Sequence, residues 1–183
     1  MNTDSLAQAV GELLQQRHLT LAVAESCTGG LLATHITNIP GSSAYFEGGV
    51  IAYSYEAKEH VLRVPAEVLE RHGAVSPATA TMMAKGVRQL LQTDLGLAVT
   101  GIAGPTGATP QKPVGLVYIA LATAQGEECR KYLWTGDRWE NRQRSTRAAL
   151  QLLHEHLAPR CLSQDRDAKT HSNNSKKTRG DSP

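Results

Sequence analysis

At 183 residues the chain is sized for one domain with a substantial core, and a net charge of +2 recommends neither nucleic acid nor a membrane surface as a partner. The opening stretch MNTDSLAQAVGELLQQ has no basic segment ahead of an apolar one, and no apolar run approaches the ~18 residues of a membrane span, so neither a secretion signal nor a membrane anchor is expected. Only eight residues are aromatic and no stripe of them interleaved with basic residues is read, so no stacking platform for single-stranded nucleic acid is expected.

Apolar Leu6, Val10, Leu13 and Leu14 recur in steps of three and four, which predicts an amphipathic helix capped by Thr3 or Asp4 and ending near Arg17. Residues 19–24 read as a short buried strand that stops at AESCTGG, where a second helix begins and runs through Ile36. Pro40 to Ser43 punctuate the chain, Tyr45 to Tyr53 alternate as a strand, and SYEAKEHVLR turns helical. Ser76 before Pro77 is an N-cap and N1 pair for a helix over 78–91. Leu95 to Thr100 form another buried strand leading into GIAGPTGATP. VGLVYIALAT and residues 127–134 pair as a hairpin across Ala124, Gln125 and Gly126, and Asp137 starts a helix through His156. Alternating strands and helices predict a three-layer α/β/α sandwich with a mixed, mostly parallel sheet.

After Pro159 the chain carries almost no aliphatic residue, no aromatic one and three net positive charges, so residues 1–158 are expected to form the domain and 159–183 a disordered polar, basic tail. Cys27, Cys129 and Cys161 show no CxxC spacing and leave one thiol over, which fits a reducing compartment and predicts a cytoplasmic location. His154 and His156 stand two apart on a helix and face different ways, and no other group has ligand spacing, so no metal site is expected.

In open α/β sheets ligands sit beyond the carboxyl ends of the strands, against glycine-rich turns and helix N-termini. Two turns qualify here, Ser26 to Gly30 and Gly101 to Gly107, and together they suggest a pocket for a phosphorylated small molecule. Neither is a P-loop or a dinucleotide fingerprint, and each could equally be a tight turn that merely needs glycine. Ser26 becomes a nucleophile only if a neighbour takes its proton. None of the seven histidines lies in a glycine-rich turn. A lysine serves instead if burial lowers its pKa from about 10.4 towards neutrality, a shift of about 3 units costing about 4 kcal/mol. Lys58, after Tyr53 and Ser54 at a strand-to-helix junction, is the lysine that can reach the same sheet edge as Ser26. Cys27 is the alternative nucleophile, or a small buried cysteine whose side chain points away from that of Ser26.

AESCTGG, YSYEAK followed by VLRVP, GAVS, TGIAGPTG, KPVG, and GDR with Arg142 occur in that order, and over about residues 5–157 the chain resembles the CinA C-terminal domain family. Enzymatic members of that family are nicotinamide-nucleotide amidases. The resemblance implies hydrolysis of the carboxamide of nicotinamide mononucleotide to nicotinic acid mononucleotide and ammonia, without a cofactor, in pyridine nucleotide salvage. It implies Ser26 as nucleophile, Lys58 as general base and Thr100 as a supporting hydrogen-bonding group. Glu25, Thr28, Gly29, Gly30, Tyr53, Gly101, Ala103, Gly104 and Arg142 are the residues expected to meet the substrate, with Arg138 as the alternative to Arg142 for the phosphate. A homodimer is expected by the same resemblance.

Tyr55 stands where many relatives have Asn, and Ala108 where they have glycine. Longer members carry a further N-terminal domain resembling molybdopterin-binding proteins; this chain resembles the stand-alone form, and no pyrophosphate chemistry is expected of it. The rival readings are a non-catalytic nucleotide-binding module, in which Lys58 only pairs with a phosphate, and an interaction protein of the competence or DNA-repair kind that uses the basic tail.

Overall fold

A computed structural model of the protein describes residues 1–158. Cys161 and the polar tail lie outside the described residues. Five strands form one sheet: β1 (Leu21–Glu25), β2 (Phe46–Ile51), β3 (Leu95–Gly101), β4 (Leu116–Ala122) and β5 (Glu127–Leu133), in the order β2-β1-β3-β4-β5. β1 runs parallel to both β2 and β3, while β4 is antiparallel to β3 and to β5. Four strands therefore point one way and β4 alone opposes them, as the predicted mixed, mostly parallel sheet requires.

Period-two alternation sorts the strand side chains onto two unlike faces. Leu21, Val23, Leu97, Val99, Val117, Ile119 and Leu121 pack with α1 (Thr3–Arg17), α2 (Leu31–Thr37) and α6 (Arg138–Leu157). The opposite face is paved with Ala22, Ala24, Ala98, Ala120 and Ala122, which face α5 (Pro77–Leu90) and the segments before it, α3 (Tyr55–His60) and α4 (Ala66–His72). Small side chains let α5 sit close: a Cβ on Gly96 would strike the Ala84 carbonyl, and one on Gly86 would strike the carbonyl of Leu62.

Local capping follows the sequence closely at most helix starts. Ser76 Oγ accepts from Thr79 N with Pro77 in the first turn of α5, and Asp137 and Glu140 form a reciprocal capping box at α6. Two expectations are corrected. Asn2, not Thr3 or Asp4, caps α1, because its side chain accepts from Ser5 N and the next two residues are already helical. Residues 66–72, given no element above, form α4, a seven-residue helix that Pro65 starts and Gly73 ends.

Position in the sheet defines where chemistry can happen. The chain leaves β1 for α2 on one face and leaves β2 for α3 on the other, so a crevice opens beyond the carboxyl ends of these adjacent parallel strands. Ser26 follows β1 directly, Ala52 to Ser54 follow β2, and the glycine-rich segment 101–107 follows β3.

Candidate active site

Three consecutive peptide units after β2 carry the decisive geometry. Ser54 ends the extended stretch and caps α3 by accepting from Ala57 N at 3.0 Å, which aims the first turn of that helix back over the sheet edge. Lys58, one turn in, is fully buried. Its Nζ donates to Ala52 O at 2.7 Å and reaches Tyr53 O and Ser54 O at 3.4 Å each. On its remaining side Nζ lies 3.1 Å from Ser26 Oγ.

Burial holds the Lys58 ammonium well below its usual range, at about 8, against a smaller opposing pull from the neighbouring Cys27. At that value a useful fraction of the amine is neutral near physiological pH. A neutral amine has two N–H donors and one lone pair. With the two donors on carbonyls of the 52–54 segment, the lone pair is left for the Ser26 hydroxyl. Ser26 itself is fixed by its own N–H, which donates to Val99 O at 2.9 Å.

Cys27 is almost completely buried, and burial pushes its thiol up to about 12. Its side chain belongs to the core packed with α1, α2 and α6, whereas Ser26 Oγ meets Lys58, and although Cys27 is among the residues bordering the cavity its thiol is held protonated.

The cavity has a volume of about 260 Å³ and is bordered by Ser26, Lys58, Tyr53, Ala74, Arg138 and the segment 101–107. Tyr53, Gly101, Ala103 and Gly104 border this cavity beside Ser26 and Lys58. Thr100 is not among its lining residues. Its buried hydroxyl donates to Ala74 O at 2.7 Å, while Ala74 N donates to Tyr55 Oη at 3.1 Å. Thr100 and Tyr55 together hold the carbonyl and the amide of Ala74, one residue of the cavity wall, so Tyr55 takes a structural role here.

Glu25, Thr28, Gly29, Gly30 and Arg142 lie behind the nucleophile rather than in the cavity lining. The Glu25 carboxylate, 1% exposed, accepts from Gly30 N, Leu32 N and Ala33 N at 2.8–3.1 Å and so caps α2 from below. Gly29 and Gly30 turn with positive φ, which only glycine adopts cheaply, to bring those amides round. Arg142 donates from Nε and Nη2 to Thr28 O at 3.2 and 2.7 Å. Arg138, four residues earlier on the same helix, borders the cavity instead, with Nη1 on Gly104 O at 2.8 Å and Nη2 on Tyr53 Oη at 3.1 Å. Among the described residues neither arginine has a carboxylate partner. Replacing Glu25 with alanine strands the amides of Gly30, Leu32 and Ala33, and chemical denaturation is expected to show a loss of about 2–4 kcal/mol.

The family model for the CinA C-terminal domain matches residues 3–157. The chain belongs to this family. A putative competence-damage inducible protein of Halothermothrix orenii is 54% identical over 154 residues, and a CinA-like protein of Syntrophus aciditrophicus is 53% identical over 159. These alignments cover 84% and 85% of this chain but 37% of each relative, so the chain spans a little over a third of the length of the curated relatives it matches. Among solved structures, the competence damage-inducible protein A of Klebsiella pneumoniae superposes with a TM-score of 0.84 at 37% identity, covering 86% of this chain and 98% of that one. The competence/damage inducible protein CihA of Agrobacterium tumefaciens gives 0.83 at 38% identity, with 86% and 96% covered. The CinA fold is thus shared across its whole domain length. No helix among the described residues is long and apolar enough to cross a membrane.

Proposed function

We propose that this CinA-family chain is a serine–lysine amidase that hydrolyses the carboxamide of nicotinamide mononucleotide to nicotinic acid mononucleotide and ammonia. The observation carrying the reading is the buried Lys58 amine, its pKa brought down to about 8, placed 3.1 Å from Ser26 Oγ at the floor of a small cavity. A binding module has no use for a buried amine of lowered pKa beside a hydroxyl, since a phosphate is held better by a fully charged, accessible one.

In this reading neutral Lys58 takes the Ser26 proton as Oγ attacks the amide carbon. The tetrahedral oxyanion needs donors that are already in place. The Ser26 N–H is spent on Val99 O and the Ile102 N–H on Leu116 O, so those donors come from the other backbone amides bordering the cavity, those of Ala103, Gly104, Thr106 and Gly107 first among them. Collapse breaks the carbon–nitrogen bond, and the Lys58 ammonium gives its proton to the departing amine, which leaves as ammonia. Lys58 then takes a proton from water, the resulting hydroxide attacks the nicotinoyl ester, and the proton returns to Ser26 Oγ as the carboxylate leaves. Arg138, the cation at the cavity wall without a carboxylate partner, holds the phosphate.

The test is ammonia release from nicotinamide mononucleotide by the full chain with a chelator present. Because only neutral Lys58 accepts the proton, kcat/KM is expected to rise about tenfold per pH unit below 8 and to level off above it. Absence of ammonia release, or a flat profile between pH 6 and 9, refutes the assignment.

A further inference from the structure

A second, larger cleft of about 650 Å³ lies against the catalytic cavity, and Ala103, Gly104 and Arg138 belong to the walls of both. Pro105, Val114, Gly136, Asp137 and Trp139 complete its lining. Trp139 is 56% exposed, and the Arg142 guanidinium lies over its ring at 5.7 Å from the centroid. Arg142 is itself anchored on Thr28 O, so the indole is tied to the loop that carries the nucleophile.

Size and charge together say what such a pair of cavities fits. Ligand sites usually span about 300–1,000 Å³, and the catalytic cavity alone falls short of that range. The apolar cleft has one fixed cation, Arg138, and it stands at the boundary between the two spaces. A ligand anchored there by phosphate puts its carboxamide end beside Ser26. Whatever lies beyond the phosphate enters the apolar cleft, against an exposed indole. A mononucleotide has nothing beyond its phosphate to fill that space.

We infer that the larger cleft is a second subsite, which takes the aromatic base of a nucleotide joined through the phosphates at Arg138, so that the chain binds a pyridine dinucleotide across both cavities. The inference rests on the amidase reading for its orientation and concerns binding, not turnover. Stacking on an aromatic side chain contributes about 1–3 kcal/mol per base. Asp137 is the carboxylate in the cleft wall; with Oδ1 accepting from Glu140 N, it offers its other oxygen to a ribose hydroxyl.

The experiment is calorimetric titration of the Ser26→Ala form of this 183-residue chain, which leaves substrate intact, with NAD+ and with nicotinamide mononucleotide. NAD+ is expected to bind at least tenfold more tightly, and adding Trp139→Ala is expected to erase that advantage while changing mononucleotide affinity less than twofold. Adenosine monophosphate alone is expected to quench tryptophan fluorescence of the wild-type chain, with the Trp139→Ala chain unresponsive. Equal affinities for NAD+ and the mononucleotide, or equal weakening of both by Trp139→Ala, overturn the inference. So does a fall in sedimentation coefficient on Trp139→Ala with no nucleotide response, which means a second copy covers the cleft. If Trp139-dependent binding of NAD+ is seen while the wild-type chain releases no ammonia, the subsite stands and the amidase reading falls.

Discussion

Replacing Lys58 with methionine is expected to lower the rate of ammonia release by about 10²–10⁴, the contribution of one positioned general base, in a protein that still folds. Methionine keeps the apolar bulk of the side chain and removes the amine, so the loss reads the proton transfer and not the packing. The same variant separates the folding consequence of that amine. The folded-state pKa near 8 lies below the usual value of 10.5, so between those values the unfolded chain binds the proton and the folded chain does not. Unfolding free energy of the wild type therefore climbs with pH from about 8 to about 10.5, relative to the variant, by on the order of 2 kcal/mol after allowing for solvent screening at the cavity mouth. Below pH 8 both states are protonated, and the cost of burying the charged amine is carried in full. Parallel denaturation curves of the two proteins at pH 7.5 and 10.5 check the sign. An unchanged difference means the amine is not desolvated.

Removing the hydroxyl is expected to be more damaging still. Ser26→Ala should reduce ammonia release by about 10⁴ or more, because the lysine then has no attached nucleophile to activate and only bound water remains. Cys27→Ala should stay within a few-fold of wild type. With its pKa near 12, the thiol is ionised in roughly one molecule in 10⁵ at pH 7, too few to account for turnover. Quench-flow with a chromogenic nicotinamide analogue makes the contrast sharper: a burst is expected from the Cys27→Ala protein and none from Ser26→Ala. The reverse pattern makes Cys27 the nucleophile and leaves the Ser26 contact to Lys58 a structural one.

The parts of the site that could be read from the chain are those where local rules and chemistry agree. Lys58 stood out because a strand-to-helix junction returns the first helical turn to the sheet edge, and the glycine turns stood out because they follow strands. The roles of the two arginines were not legible, and the reason is geometric. Arg138 and Arg142 are four residues apart on one helix, hence on one face, and periodicity assigns them the same surroundings. Only the packing of α6 across the sheet places one at the Thr28 carbonyl and the other at the cavity. Glu25 was likewise opaque. A carboxylate beside a nucleophile reads as chemistry, but the amides of Gly30, Leu32 and Ala33, at the start of a short helix with no side-chain cap at Gly30, needed an acceptor first. The helix α4 escaped notice because seven residues with one fully buried apolar position, Leu69, leave too little periodicity to detect.

The base and its surroundings come from one contiguous heptapeptide, Ala52 to Lys58, whose three leading carbonyls face its final side chain. A single backbone hydrogen bond, Ala52 N to Glu25 O at 2.9 Å, docks this cassette onto the residue next to the nucleophile. Among the described residues no hydrogen bond ties the connection between α2 and β2 to Ser26 or Lys58, so the two side chains are aligned at the sheet edge itself.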